Sequence, residues 1–141
     1  MTVKGLNDVT IPHLAEAIFN AIAAQEGWFF PGSSSISASR AQENNNPGNL
    51  RGAPWLSGPV PALAGYWIAT SVYEGTAGGL HLVALRIAEG WSLRRLLNSW
   101  APAADGNAPD TYIQNVMAWT GIPNADLALM YYLAPPVDPR K

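Results

Sequence analysis

The stretch IPHLAEAIFNAIAAQEGW, residues 11–28, decides the fold class. Leu14, Ile18 and Ile22 recur every four positions, which places them on one stripe of a helix. Thr10 supplies an N-cap, Pro12 is tolerated in a first turn, and Gly27 is a stop signal. The spacing predicts a helix from Ile11 to about Glu26, with the apolar stripe turned to a core. One more step of four from Ile22 reaches Glu26. Helical spacing therefore carries a carboxylate onto the buried stripe at the helix end. Burial disfavours its charged form, and the negative end of the helix dipole disfavours it again. A carboxyl group pushed that way can hold its proton near neutral pH and act as a general acid. The plain alternative is a solvated Glu26 turned outward from the helix end.

Working outward, residues 28–40 contain Pro31, Gly32 and the run Ser33-Ser34-Ser35, which are breakers and predict a loop. Asn44-Asn45-Asn46-Pro47-Gly48-Asn49-Leu50-Arg51 is a dense turn block, expected to be rigid, polar and irregular. Ala62 to Thr70 is the best strand candidate, with Tyr66, Trp67 and Ile68, and its partner is expected near Leu50 to Leu56. Ser71-Val72-Tyr73-Glu74 matches a capping box for a helix to about Glu89, ended by Gly90. Gly75, Gly78 and Gly79 interrupt it; they read as close helix packing rather than phosphate binding, since no core strand precedes them. Ser92 caps a helix from Leu93 to Trp100, Asp110 one from Thr111 to Thr120, and Asn124 to Leu133 is a last helix. The expected class is mostly α (α+β), with a small β-hairpin after the first helix. One domain, 1–141, is expected, with 1–9 and 136–141 as frayed tails.

Composition narrows the function. Eight basic and ten acidic residues give a net charge of −2, and the basic residues are scattered, so there is no electrostatic case for nucleic acid. No cysteine is present, which excludes disulfides and thiolate metal sites. His13 and His81 are not spaced as a metal pair, and no metal or cofactor motif appears. No apolar run is long enough for membrane insertion, and residues 1–8 lack a signal-peptide pattern. Six tryptophans and five tyrosines are a high aromatic load. Core packing is the default reading for each Trp; the excess suits a carbohydrate cleft, and Trp28 and Trp55, in predicted loops, are the better cleft candidates.

With no nucleophile elbow, phosphate loop or dinucleotide fingerprint, carboxylate chemistry remains. Glycoside cleavage takes a protonated carboxyl beside the leaving oxygen and, in many enzymes, a second carboxylate. Glu26 fits the first role. Glu43, just before the Asn block, is the best-placed second carboxylate, with a solvated role as its alternative. Glu74 competes but is explained as a capping-box residue.

Ala21-Ile22-Ala23-Ala24-Gln25-Glu26-Gly27-Trp28 followed by Asn45-Asn46-Pro47-Gly48-Asn49-Leu50-Arg51 resembles a phage and bacterial muralytic group of the lysozyme-like superfamily, related to the lytic transglycosylases. Tyr73-Glu74-Gly75 to Leu85 is similar to the Glu-Gly helix start of that family. Trp100-Ala101-Pro102 with Asn107 is similar to its turn, and Tyr112-Ile113-Gln114-Asn115-Val116 to its tyrosine-bearing helix. The order of the pieces, over about Ile11 to Ile122, makes the match specific. The resemblance implies a lysozyme-like fold that cleaves the β-1,4 bond between N-acetylmuramic acid and N-acetylglucosamine. Its partners are then peptidoglycan glycan strands, and no cofactor is expected. It implies that Glu26 is the acid, that Asn49 and Arg51 line the cleft floor, and that Tyr112 hydrogen-bonds near the acid or the substrate; Asn46 and the rest of its block read equally as a structural turn or as substrate contacts, and Tyr112 equally as a core tyrosine on an amphipathic helix. No acidic residue stands clearly in the second-carboxylate position, which fits a one-glutamate mechanism and leaves hydrolysis and transglycosylation both open. Lack of a signal suits a phage virion component, a released endolysin, or an effector exported to the periplasm or cell wall. Two other classes stand beside the enzyme: a non-catalytic glycan-binding or structural virion protein of the same fold, and a protein-interaction domain with an incidental buried glutamate.

Overall fold

A computed structural model describes residues 10–26, 46–48, 50, 62–63, 66–101 and 108–133. Within them the chain is mostly helical. Helix α1 spans Ile11–Gln25, α2 Val72–Ala88, α3 Leu93–Trp100 and α4 Pro109–Thr120; strands β1, Ala62–Leu63, and β2, Tyr66–Trp67, precede α2. The expected tails, 1–9 and 136–141, lie outside the described residues.

The start of α1 follows its sequence: the Thr10 side chain accepts from the His13 N–H at 3.5 Å, and Pro12 sits in the first turn. Leu14, Ile18 and Ile22 are fully buried, the stripe that the four-residue spacing predicts. They pack against Val83 and Ile87 of α2, Leu93, Leu96 and Leu97 of α3, and Ile113 and Val116 of α4, in one apolar core. Helix α1 is its centre, packed on both α2 and α4.

The glycines of α2 are packing residues. Gly75, Gly78 and Gly79 are buried, and a Cβ on Gly79 would fall inside the ring of Phe19 from α1. The same ring also approaches Gly48, and its centroid lies 6.4 Å from that of the Trp100 ring. Trp100 donates from its indole N–H to the Gly48 carbonyl at 2.6 Å. The two glycines admit one phenyl ring between distant segments, which small-residue contact alone permits.

Three local expectations are corrected. Ala62 to Thr70 is not one strand: β1 and β2 pair with each other, Ala62 opposite Trp67 and Leu63 opposite Tyr66. A glycine in the sequence between them favours a turn over a continuous strand. The Leu50 carbonyl does meet the Trp67 N–H, at 2.8 Å, while the remainder of the expected partner strand, 51–56, lies outside the described residues. Asp110 does not cap α4; Pro109 enters at the first helical position, so Ala108 is the N-cap and Asp110 falls in the first turn. Residues 124–133 are not a helix. The Asn124 side chain turns the chain by accepting from Asp126 N–H, Arg94 N–H takes the Ala125 carbonyl, and Leu129 N–H takes the Trp91 carbonyl. Backbone groups committed to the Trp91–Arg94 segment cannot close a helical ladder, and only a 3₁₀ turn, Leu129–Tyr132, remains.

Capping elsewhere agrees with the sequence. Ser92 accepts from Arg95 N–H at 3.1 Å, and Ser71 accepts from Glu74 N–H at 3.1 Å. Glu74 reaches back to the Thr70 N–H at 3.1 Å, one residue before the position a capping box uses. Gly121 closes α4 with φ +79°, a left-handed conformation that glycine adopts without a Cβ clash.

Candidate functional site

Glu26 is the C-cap of α1, and its backbone N–H still donates to the Ile22 carbonyl at 2.8 Å. Its side chain is half-buried, one turn beyond the buried Ile22. The last carbonyls of a helix lack intrahelical donors and carry partial negative charge, so this is an unfavourable place for a carboxylate unless donors surround it.

Helix α4 brings one. Tyr112, Ile113, Val116 and Thr120 form the buried stripe of α4 against α1. Tyr112, in the first turn of that stripe, donates its phenol hydrogen to Glu26 Oε2 at 3.1 Å. One turn along, Asn115 donates from Nδ2 to Gln25 Oε1 at 2.9 Å. Two side-chain bonds thus tie the end of α1 to the start of α4, spanning 86 and 90 residues of chain. Burial of the Tyr112 phenol, the Glu26 charge and its hydrogen bond to Glu26 all push the Tyr112 pKa far above its ordinary value of 10.0. Tyr112 is therefore a neutral, permanent donor at any physiological pH.

The Asn block plays another part. Asn46 is 0% exposed. Its Nδ2 donates to the carbonyls of Leu50 at 2.8 Å and Trp67 at 3.0 Å, and its Oδ1 accepts from Leu50 N–H at 3.0 Å. Both amide hydrogens are spent on backbone. The structure places Asn46 as a bracket that ties its own turn to β2, and Pro47 and Gly48 are buried with it. The described part of this block is therefore an interior joint rather than the polar loop its composition suggests. Glu43, Asn49, Arg51 and Trp28, with Trp55, lie outside the described residues.

Glu74 is occupied with the start of α2, as its capping pattern indicates. His13 and His81 are exposed, on different helices. Among the described residues no three His, Cys, Asp or Glu side chains stand together to hold a metal ion, and no helix is long and apolar enough to cross a membrane.

Of the expected site residues, Glu26 and Tyr112 are brought together, and Asn46 is assigned to the scaffold. The Gln25–Asn115 pair was not anticipated. Part of its signal was present: Asn115 lies three residues after Tyr112 on the same face of α4, while Gln25 adjoins Glu26 in sequence but points about 100° away round α1. Trp119, for which core packing was the default, is 47% exposed at the far end of α4. No protein-family model, curated protein or solved structure matches this chain.

Proposed function

We propose that this chain is a lysozyme-like peptidoglycan glycosidase in which Glu26 is the general acid. One observation carries the reading: a carboxyl group at the C-terminal end of the central helix, held in place by a buried tyrosine from a helix far away in sequence. The order of elements supports it, with an acid-terminated helix, a short antiparallel strand pair and then a helical remainder. So does the resemblance of the Glu26, Asn-Pro-Gly and Tyr112 segments to the muralytic group.

The chemistry follows from the donor arrangement. Tyr112 donates to Oε2 and so orients the carboxyl group, whose acid form carries one proton. Glu26 delivers that proton to the glycosidic oxygen as the bond from the anomeric carbon to that oxygen breaks. Positive charge then develops on the ring. Glu43, or the N-acetyl group of the substrate, stabilises it. Attack by water gives a reducing end, and attack by the sugar's own 6-hydroxyl gives an anhydro end; in either case Glu26, now a carboxylate, takes the proton of the attacking oxygen and is restored as the acid. Tyr112 cannot ionise near neutral pH, so its role is to fix the Glu26 rotamer rather than to exchange protons. A phage virion, or release or export to the cell wall, would bring such an enzyme to its substrate.

A turbidity assay on purified cell walls tests this. Wild type is expected to clear them, and Glu26→Gln to fold, pellet with walls and fail to clear. Full clearing by Glu26→Gln contradicts the assignment. Pelleting without clearing by wild type favours a non-catalytic glycan-binding protein, and neither activity favours a protein-interaction domain. Because the acid must carry its proton, the rate is expected to fall as pH rises through the Glu26 pKa. A rate flat from about pH 5 to about pH 9 contradicts it.

A further inference from the structure

Beyond the Gln25–Asn115 bond, the seam between α1 and α4 opens into a surface groove of about 240 Å³ lined by Ala17, Asn20, Ala21, Ala24 and Trp119. We propose that this groove is an auxiliary sugar subsite that takes an N-acetylated pyranose of the glycan, a site that rests on reading the substrate as glycan.

The lining selects the ligand class. Ala17, Ala21 and Ala24 follow one another at helical spacings of four and three, so their methyl groups make a shallow apolar floor. Trp119 forms a wall, and its indole is 47% exposed although the side chain is large and apolar. A flat, half-exposed aromatic with a polar handle suits a ligand that has one apolar face and polar edges. Asn20 supplies an exposed amide on the rim, and among the described residues it has no hydrogen-bond partner. The inner end is polar too. Gln25 lies four residues past Ala21 and Asn115 four before Trp119, so both continue the groove's own stripes. Asn115 gives one Nδ2 hydrogen to Gln25, which leaves its second hydrogen and the Gln25 amide hydrogens for another acceptor. None of the five lining residues is charged, so a phosphate or a charged peptide finds no counter-ion in the lining.

The place fits the chemistry. From Ala17 to Ala24 the helix rises ~10 Å, and from Ala24 to Glu26 a further ~3 Å. A sugar held on Trp119 therefore lies on the same seam as the carboxyl group, separated from it by the amide pair. The groove is smaller than the usual 300–1,000 Å³ or so of a drug-sized site, which suits a single ring rather than an entire oligosaccharide.

The test uses the full chain as Glu26→Gln, so that the probe is not consumed, titrated with the N-acetylglucosamine tetramer and followed by amide and indole NMR shifts. Saturable shifts are expected at Asn20, Ala21, Ala24 and the Trp119 indole N–H. Trp119→Ala is expected to raise the Kd about tenfold, the loss of one aromatic anchor. Ala24→Gln, which fills the floor and keeps the indole, is expected to weaken binding similarly and guards against a folding defect in the first variant. Absence of shifts at these residues overturns the subsite, whether or not residues around position 26 respond. Shifts that follow protein concentration rather than sugar also overturn it, by placing a second copy of the chain in the groove. If wild type fails to clear cell walls but the groove shifts persist, catalysis is lost and the subsite stands. Clearing without groove shifts loses only the subsite.

Discussion

Two places in this molecule use polar side chains to join segments far apart in sequence, and they are built to opposite rules. At Asn46 the side chain has no exposed surface, both amide hydrogens reach backbone carbonyls, and the neighbouring Gly48 carbonyl takes the Trp100 indole N–H. At the α1–α4 junction Glu26 and Gln25 are half-buried, at a helix end, and each accepts from one side chain of α4. The first joint satisfies polar groups that water cannot reach, so its contribution is stability. The second joins a carboxyl group and an amide pair at a helix end that is only half-buried. Complete satisfaction marks scaffold; oriented but accessible groups mark a candidate site.

Substitutions can break this contrast. The largest effect is expected at Glu26. Glu26→Gln keeps an acceptor for Tyr112, so the folded state survives, while loss of the acid lowers the cleavage rate by roughly 10²–10⁴-fold. Cleavage kinetics beside an unfolding curve would show rate and stability separating. Asn46→Ala is the converse. It leaves the Leu50 N–H and the Leu50 and Trp67 carbonyls without their buried partner and is expected to cost about 2–4 kcal/mol in urea unfolding. An unfolding midpoint equal to wild type would show that Asn46 is not a scaffold residue.

Gly79→Ala follows in size. Helix propensity alone would favour Ala by about 1 kcal/mol. The added methyl collides with Phe19, a buried ring also packed against Gly48 and Trp100, so overpacking costs roughly 1–3 kcal/mol and the net change is expected to be destabilising. A stabilised Gly79→Ala would mean that Phe19 can move aside. The smallest effect at neutral pH is expected for Tyr112→Phe, about 0.5–1.5 kcal/mol for one hydrogen bond. Its signature is alkaline. The Tyr112 pKa is raised in the folded state, so the unfolded chain loses the proton first and its contribution to stability, whole below pH 10.0, declines as pH rises above that value. Denaturant unfolding between pH 9 and about pH 11 should show a shallower decline in Tyr112→Phe than in wild type. Equal slopes would remove Tyr112 from the junction.

Much of this fold was legible from local pattern. The Leu14, Ile18, Ile22 stripe, the Ser71 and Ser92 caps and the packing role of Gly79 all depend on residues within a turn or two of one another, where helix periodicity governs. Residues 124–133 misled because Ala125 and Leu129 were recruited by backbone groups of Arg94 and Trp91, a pairing that periodicity does not encode. The site was legible to the same degree. Glu26 stood out because an acid occupies a buried-stripe position. The Tyr112 contact was implied by resemblance and has a geometric basis in the α4 stripe. Asn46 was ambiguous because an Asn in a turn block can face water or backbone, and only its distance from Trp67 decides. Trp119 lies at the edge of the α4 stripe, next to the buried Thr120, and sequence spacing alone does not resolve which side of that edge an indole takes.

The bond that is cut decides the role of Glu26, and mass spectrometry of fragments released from purified peptidoglycan by wild type and by Glu26→Gln identifies it. Disaccharide-peptide fragments ending in reducing or anhydro N-acetylmuramic acid are expected with wild type, and none above background with Glu26→Gln. Fragments cut only at amide bonds, or the same glycan fragments from both proteins, would contradict it.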